Sequence, residues 1–393
     1  MIFDKLFRLM ADKKASDIFI TAGAAIHIKI EGVAVPINQQ AMDPPTIERM
    51  VRELLTPEQF AKFSERKELN LSRGVRELGN FRINIMQQRS SIAVVVRYIQ
   101  GDIPNLGSLN LPPILADVIM EKRGLVLVVG ATGSGKSTTM ASMIDHRNAN
   151  RAGHILTVED PIEYLFNHRK SVINQREVGI DTESWHEALK NAMRQAPDCI
   201  LIGEIRDRET MQAALAYAQT GHLCLATLHA NNAYHALNRV VNFFPLENRA
   251  LLYLDLAVAL KCIISQRLVR KPDGRRLPAM EILMNTRHVA DLIEQGELNE
   301  IKEAMEQSLA PGSQTFEQDL YRLYKEGTVD LEEALANSDS PTNLYWLINN
   351  GQISNDQGDK SAPPPSADFQ APQQEGGASF KEFTLHLDDH PAS

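Results

Sequence analysis

Residues Gly130-Ala131-Thr132-Gly133-Ser134-Gly135-Lys136-Ser137 place glycines, a lysine and a hydroxyl at the spacing that wraps a chain of phosphates. Glycines let consecutive backbone N–H groups curl around an anion without side-chain clash. A helix starting directly behind such a loop adds a partial positive charge. Lys136 is then placed for the β- and γ-phosphates of a nucleotide, Ser137 for Mg²⁺, and Thr138 continues the site. The apolar run Leu125–Val129 before the loop and the helical pattern of Ser137–Ile144 after it supply the required strand-loop-helix context.

Phosphate chemistry needs acids near the loop. The run Asp198-Cys-Ile-Leu-Ile-Gly-Glu204 reads as a buried strand delivering Glu204 to the carboxyl edge of a sheet. Glu204 is a candidate for holding Mg²⁺ through water. A second set, Glu159-Asp-Pro-Ile-Glu163, follows the apolar run His154–Val158. Glu163 suits the polarisation of an attacking water, and a solvated acidic loop fits the same residues. His222 and His229 bracket a further apolar run. Either could donate to a γ-phosphate or could be structural, and their spacing does not suit zinc. Arginines close over γ-phosphates in such sites. Arg82, Arg89 and Arg97 lie on or between two strand-like runs, where exposed strand arginines are the plainer reading.

The elements that must position these residues follow from hydrophobic pattern. Phe3, Leu6, Phe7 and Met10 share one helical face. Ile18–Ile20, Ile26–Ile30, Asn80–Met86 and Ile92–Ile99 read as strands, and Thr46–Phe63 as a helical stretch divided at Pro57. Residues 101–113, with three prolines and two glycines, read as a linker. Beyond it strands and helices alternate, which predicts a mainly parallel sheet. Continuous apolarity in Leu125–Val129, Cys199–Ile202 and Leu223–Thr227 predicts strands covered on both faces. Trp185–Gln195 and Arg208–Gln219 read as helices, the first opened by a Ser184/Glu187 capping box. After residue 245 helical patterns dominate, including Leu251–Ile264, Val289–Glu294 and Thr315–Lys325.

Composition sets the outer bounds. The chain has 393 residues, 43% hydrophobic and 23% charged, which excludes wholesale disorder and small disulfide scaffolds. Net charge is −9, so no global basic field holds nucleic acid. The three cysteines form no Cys-x-x-Cys pair and sit in apolar runs, as buried thiols of a reducing compartment do. No apolar run is long enough to span a membrane, so a cytoplasmic protein without membrane insertion is expected. The 42 residues after Gly351 carry two lysines and seven acids and read as a disordered acidic tail with one apolar island, Phe380–Leu387.

Four motifs in order resemble one family. Gly130–Ser137, Glu159–Glu163, Gly203-Glu204-Ile-Arg-Asp207 and Thr220–His229 are similar to the Walker A, aspartate-box, Walker B and histidine-box motifs of the secretion and type IV pilus ATPases. Ser16-Asp-Ile-Phe19 and Gly79-Asn-Phe-Arg82 extend the match, which covers residues 1–345. The chain is identified as a member of the retraction branch, since it lacks the tetracysteine module and long N-terminal extension of extension motors.

Within that branch it resembles the accessory motors. Gln175–Ser184, Arg194–Asp198 and Cys224–Asn232 carry that likeness, and His288–Ile293 stands where the main retraction motor has Ala-Ile-Arg-Asn-Leu.

The resemblance implies an α/β fold. A PAS-like α+β domain spans 1–100, a linker 101–113, a RecA-like P-loop ATPase domain with a helical C-terminal region 114–348, and a disordered tail 349–393. It implies an ATP-hydrolysing hexamer that uses Mg²⁺ and assists pilus retraction in twitching motility. Its partners would be the main retraction ATPase and an inner-membrane platform protein, at the cytoplasmic face of the pilus base. It implies Glu163 as catalytic glutamate, Glu204 as Walker B acid, His229 as γ-phosphate contact, and Arg82 and Arg97 as arginines turned toward nucleotide. A ring that binds nucleotide, hydrolyses little and regulates the main motor by docking is the alternative.

Overall fold

The computed structural model describes residues 2–30, 32–75, 78–99 and 103–350. The acidic tail and its Phe380–Leu387 island therefore lie outside the described residues, as do Gly101 and Asp102 of the expected linker.

Two sheets organise the chain. The first is antiparallel and built from β1 (Asp17–Ile20), β2 (His27–Ile30), β3 (Val33–Pro36), β4 (Glu68–Val75), β5 (Gly79–Gln88) and β6 (Ser91–Ile99), in the order β3-β2-β1-β6-β5-β4. Alternation along β5 sends Phe81, Ile83 and Ile85 into the core and Arg82 and Asn84 to the other face. The helix Ile2–Asp12 lays Phe3, Leu6, Phe7 and Met10 on that core, where Phe7 stacks on Phe81 at 4.3 Å and Phe81 on Tyr98 at 5.0 Å. The helical stretch expected over 46–63 is two helices, Pro44–Leu54 and Pro57–Arg66. Pro57 opens the second, where its missing N–H is harmless, and Thr56 and Gln59 form a capping box there.

The second sheet holds β7 (Gly124–Val129), β8 (Gly153–Glu159), β9 (Ser171–Glu177), β10 (Cys199–Ile202), β11 (Leu223–Leu228), β12 (Leu260–Arg270) and β13 (Arg276–Met284), ordered β13-β12-β7-β11-β10-β8-β9. All neighbours are parallel except β12 and β13. Both faces are covered, as the unbroken apolarity predicted. Leu125, Leu127 and Val129 join the core under the helices Trp185–Ala192, Arg208–Gln219, Ala233–Asn242 and Arg249–Ala259. Val126 and Val128 face the opposite layer with Met140, Met143 and Ile144 of the helix Lys136–Asn150.

The expected helix Leu251–Ile264 is corrected. It ends at Ala259, and the chain continues as β12 beside β7, so a β-hairpin interrupts the region expected to be helical. A short apolar run fits a buried helix and a buried strand equally, and Cys262-Ile263-Ile264 is β-branched enough to follow the strand. β4 and β9 carry too little apolar signal to be read from sequence, and β3, apolar as Val-Ala-Val-Pro, is only four residues long and exposed along its whole length. Ser184 caps its helix by accepting from the Glu187 N–H at 3.2 Å.

Cys199, Cys224 and Cys262 are free thiols at 0% exposure. Burial pushes Cys199 up to about 11 and Cys262 up to about 12, and raises Cys224 as well. Among the described residues no helix is long and apolar enough to cross a membrane.

Buried Glu281 on β13 accepts from the Ala233 N–H at 2.7 Å and Ser265 Oγ at 3.0 Å. Burial outweighs both bonds and pushes its carboxyl up to about 7 from 4.5. The folded state then keeps a proton that the unfolded chain releases. Its contribution is complete below about 4.5 and is lost as pH rises through 7. Glu159, also pushed up to about 7, adds in the same direction. Denaturant titrations should show stability falling across this window, by about 1.4 kcal/mol per pH unit for one such group. Glu281→Gln should make that fall visibly shallower, and an unchanged slope would contradict the assignment.

Candidate active site

Four parallel strands end side by side, and the chemistry-bearing residues follow directly behind them. Gly130 follows β7, Asp160 follows β8, Gly203-Glu204 follows β10 and His229 follows β11. This is the carboxyl edge where open α/β sheets bind ligands. A cavity of about 240 Å³ there is lined by Thr132, Gly133, Lys136, Ser137, Glu163, Glu204 and His229, among others.

The loop is built for an anion. The helix Lys136–Asn150 begins at Gly135 in the left-handed region, φ 87°, and no side chain caps it. Its first N–H groups therefore stay available to a ligand. Lys136 is 8% exposed, and its Nζ donates to Gly130 O at 2.8 Å and Ala131 O at 2.9 Å. Burial lowers its pKa, opposed by the nearby charges of Glu204 and Glu163. Ser134 Oγ is buried without a partner, and a Cβ on Gly133 would meet nothing within 4 Å. A desolvated ammonium and free helix N–H groups fit a polyphosphate.

The acids occupy different settings. Glu204 accepts from Arg206 Nε at 2.7 Å and lies 3.4 Å from His229 Nε2. Arg206 in turn sits 3.6 Å from Asp160. Glu163 is exposed at the cavity's mouth. Glu159 is buried and is held by Thr157 Oγ1 at 2.6 Å. Gln175 spans the loop after β8: its amide donates to Tyr164 O at 2.8 Å and to Glu159 Oε1 at 3.3 Å, and its oxygen accepts from the Phe166 N–H at 2.9 Å. Tyr164 OH reaches back to Thr138 Oγ1 at 2.7 Å, tying the acidic loop to the phosphate-loop helix.

Mg²⁺ fits this donor set only with help from the substrate. Among the described residues no three His, Cys, Asp or Glu side chains could hold a metal. One hydroxyl and one carboxylate completed by phosphate oxygens and water are what Mg²⁺ ordinarily uses. Ser137 and Glu204 line the same cavity and supply those groups.

The arginines divide. Arg82 leaves the first sheet to donate to Ile162 O at 2.9 Å, and Glu177 Oε2 lies 3.6 Å away. Glu177 accepts from the Ile162 N–H at 3.2 Å, so the peptides on both sides of Ile162, next to Glu163, are clasped. Neither arginine lines the cavity, contrary to the expectation for both; Arg97 pairs with Asp17 at 2.8 Å, and 64% of its side chain is exposed. His222 also lies apart, its Nδ1 at 3.2 Å from Tyr217 O and Thr220 Oγ1. Gly135 and Thr138 line a second cavity of about 520 Å³ behind the loop, with Asn110, Gln266 and Arg276. Tyr164, Gln175 and Gln266 were missed from sequence because their roles depend on distant neighbours, and Arg206, though inside the Gly203–Asp207 motif, because only the fold brings it between Glu204 and Asp160.

A parallel sheet flanked by helices, with this loop at its carboxyl edge, defines a RecA-like P-loop nucleotide-binding protein. The chain belongs to the Type II/IV secretion system protein family, whose model matches residues 1–336. It is 47% identical to the type IV pilus ATPase PilU of Pseudomonas aeruginosa, over 90% of this chain and 93% of that one. It is 36% identical to the retraction ATPase PilT of the same organism, over 88% of this chain and all of that one. A crystal structure of the pilus retraction motor PilT with bound ADP superposes with a TM-score of 0.81 at 40% identity, covering 87% of this chain and 98% of that one. The Legionella pneumophila ATPase DotB gives 0.69 at 27% identity, over 85% and 94%. The retraction-ATPase resemblance read from the motifs thus holds, and so does the expected fold class.

Proposed function

We propose that this protein is an ATP-hydrolysing motor that works as a ring, expected to be a homohexamer, and assists the main retraction ATPase in withdrawing type IV pili. The carrying observation is one cavity that gathers Lys136, Ser137, Glu163, Glu204 and His229, in a chain alike over nine-tenths of its length to a pilus ATPase.

The residues divide the work by position. The loop N–H groups from Gly130 to Thr138 receive the triphosphate, and Lys136 exchanges its two carbonyl partners for β- and γ-phosphate oxygens. Glu163 at the mouth orients water and accepts its proton. His229, 3.4 Å from Glu204, donates to the γ-phosphate. Mg²⁺ held by Ser137 and, through water, by Glu204 would neutralise charge on the phosphates. The nucleoside occupies the second cavity, on the other side of the loop. Arg82 connects the site to the first sheet through Ile162 O, so a change at the acidic loop on loss of the γ-phosphate reaches the N-terminal domain. Arg97, exposed and paired with Asp17, is available to a neighbouring subunit's nucleotide. The proposed setting is the cytoplasmic face of the inner membrane, against a platform protein.

Steady-state phosphate release against protein concentration tests the reading, with Glu204→Ala as blank. Turnover per subunit should rise as rings assemble and should vanish in the variant. Turnover that never exceeds the blank, with ATP still bound, would instead support a regulatory ring that docks on the main motor.

A further inference from the structure

Gln266 lies in β12 with 3% of its surface exposed, and its side chain reaches into the loop carried by the adjacent β7. Its Nε2 donates to Ser134 O at 2.8 Å, and its Oε1 accepts from Thr139 Oγ1 at 2.7 Å. The two bonds grip the loop on both sides of Lys136. They also fix the amide's orientation, since Ser134 O can only accept and so takes the NH2 side, leaving the oxygen to the Thr139 hydroxyl. The approach is close: a Cβ on Gly130 would lie 2.5 Å from Gln266 O, and one on Gly135 would lie 2.8 Å from Gln266 Nε2.

This grip has a consequence for the site. A trans peptide points its C=O and the following N–H in opposite directions. With Ser134 O held toward β12, the Gly135 N–H is turned away from β12. We infer that Gln266 is a positioning residue that holds the Ser134–Gly135 peptide in the orientation that receives phosphate, an inference that rests on the nucleotide-binding reading above. The hairpin β12–β13 thereby becomes part of the nucleotide site. The adjacent residue supports this, because Arg267 takes hold of the segment behind His229: it bonds Asp339, which accepts from Asn232 at 2.7 Å, and donates to Asn231 O at 3.3 Å.

The test is nucleotide affinity in the full-length chain, read with a fluorescent ADP analogue beside the melting temperature without nucleotide. Gln266→Met keeps the length and loses both bonds. Thr139→Val loses one. Gln266→Glu keeps the acceptor for Thr139 and loses the donor to Ser134 O. Gln266→Met should weaken binding about tenfold to a hundredfold, the scale of a buried hydrogen bond left unmade. Thr139→Val should weaken it less, and the double variant should bind no worse than Gln266→Met, because both act through one amide. Gln266→Glu should bind as weakly as Gln266→Met, and it carries the test if the methionine variant fails to fold. A folded variant lacking the donor to Ser134 O that binds within twofold of the parent overturns the inference. Failure of the parent chain itself to bind nucleotide overturns the functional reading, and the inference with it.

Discussion

Glu163→Gln is expected to lower ATP turnover about a thousandfold, midway in the range for loss of a positioned general base, while ATP still binds. The two effects separate because of where the residue sits. Glu163 is exposed at the cavity's mouth, on the loop after β8, whereas the phosphates are received by the loop after β7. Glutamine keeps the shape and removes only the ability to take a proton. Lys136 keeps both of its loop carbonyl partners in the variant, so the ammonium stays in place for phosphate. Single-turnover quench measurements, with enzyme in excess over ATP and above its dissociation constant, check this directly. Turnover within tenfold of the parent would move the base to another carboxylate that lines the cavity, Glu204 or Asp160.

Lys136→Met should act at the other end of the cycle. The ammonium is buried, and its two present partners are carbonyls of its own loop. Charge-assisted bonds to phosphate are about twice as strong as neutral ones. Losing them should weaken ATP binding by at least about a hundredfold and take turnover below detection, taking about 1.5–3 kcal/mol for each charged hydrogen bond. The substitution leaves Gly130 O and Ala131 O without their donor, so a fall in thermal stability should accompany it. Calorimetric titration of ATP, with melting curves as control, reads both. Retained affinity would mean that the backbone N–H groups alone bind the triphosphate.

Much of the site was legible because its signals are local. The phosphate loop is a contiguous run, and Glu204 and His229 each follow an apolar strand whose edge position can be read from pattern. The strands β10 and the helix Arg208–Gln219 occur with the expected ends. What escaped was whatever depends on two distant segments meeting. Gln266 looked like a residue just past a helix, and only the placement of β12 beside β7 brings it to Ser134. Tyr164 and Gln175 were unremarkable until the loop after β8 folded back on Thr138. Arg97 shows the converse. Its register opposite Arg82 gives the two arginines the same standing in sequence, yet Arg82 crosses to the acidic loop and Arg97 turns to Asp17.

The state of the three thiols makes the chain a convenient object for optical and cross-linking work. The sequence contains no other cysteine, and all three are enclosed, with their thiolate forms suppressed at neutral pH. A maleimide offered to the native protein should therefore leave them largely untouched. One cysteine introduced on the outer face of the first sheet and another near the mouth of the phosphate cavity would react as the only competent pair. Dyes at those points would report the distance between the two sheets during turnover, without first stripping native cysteines from the ATPase core.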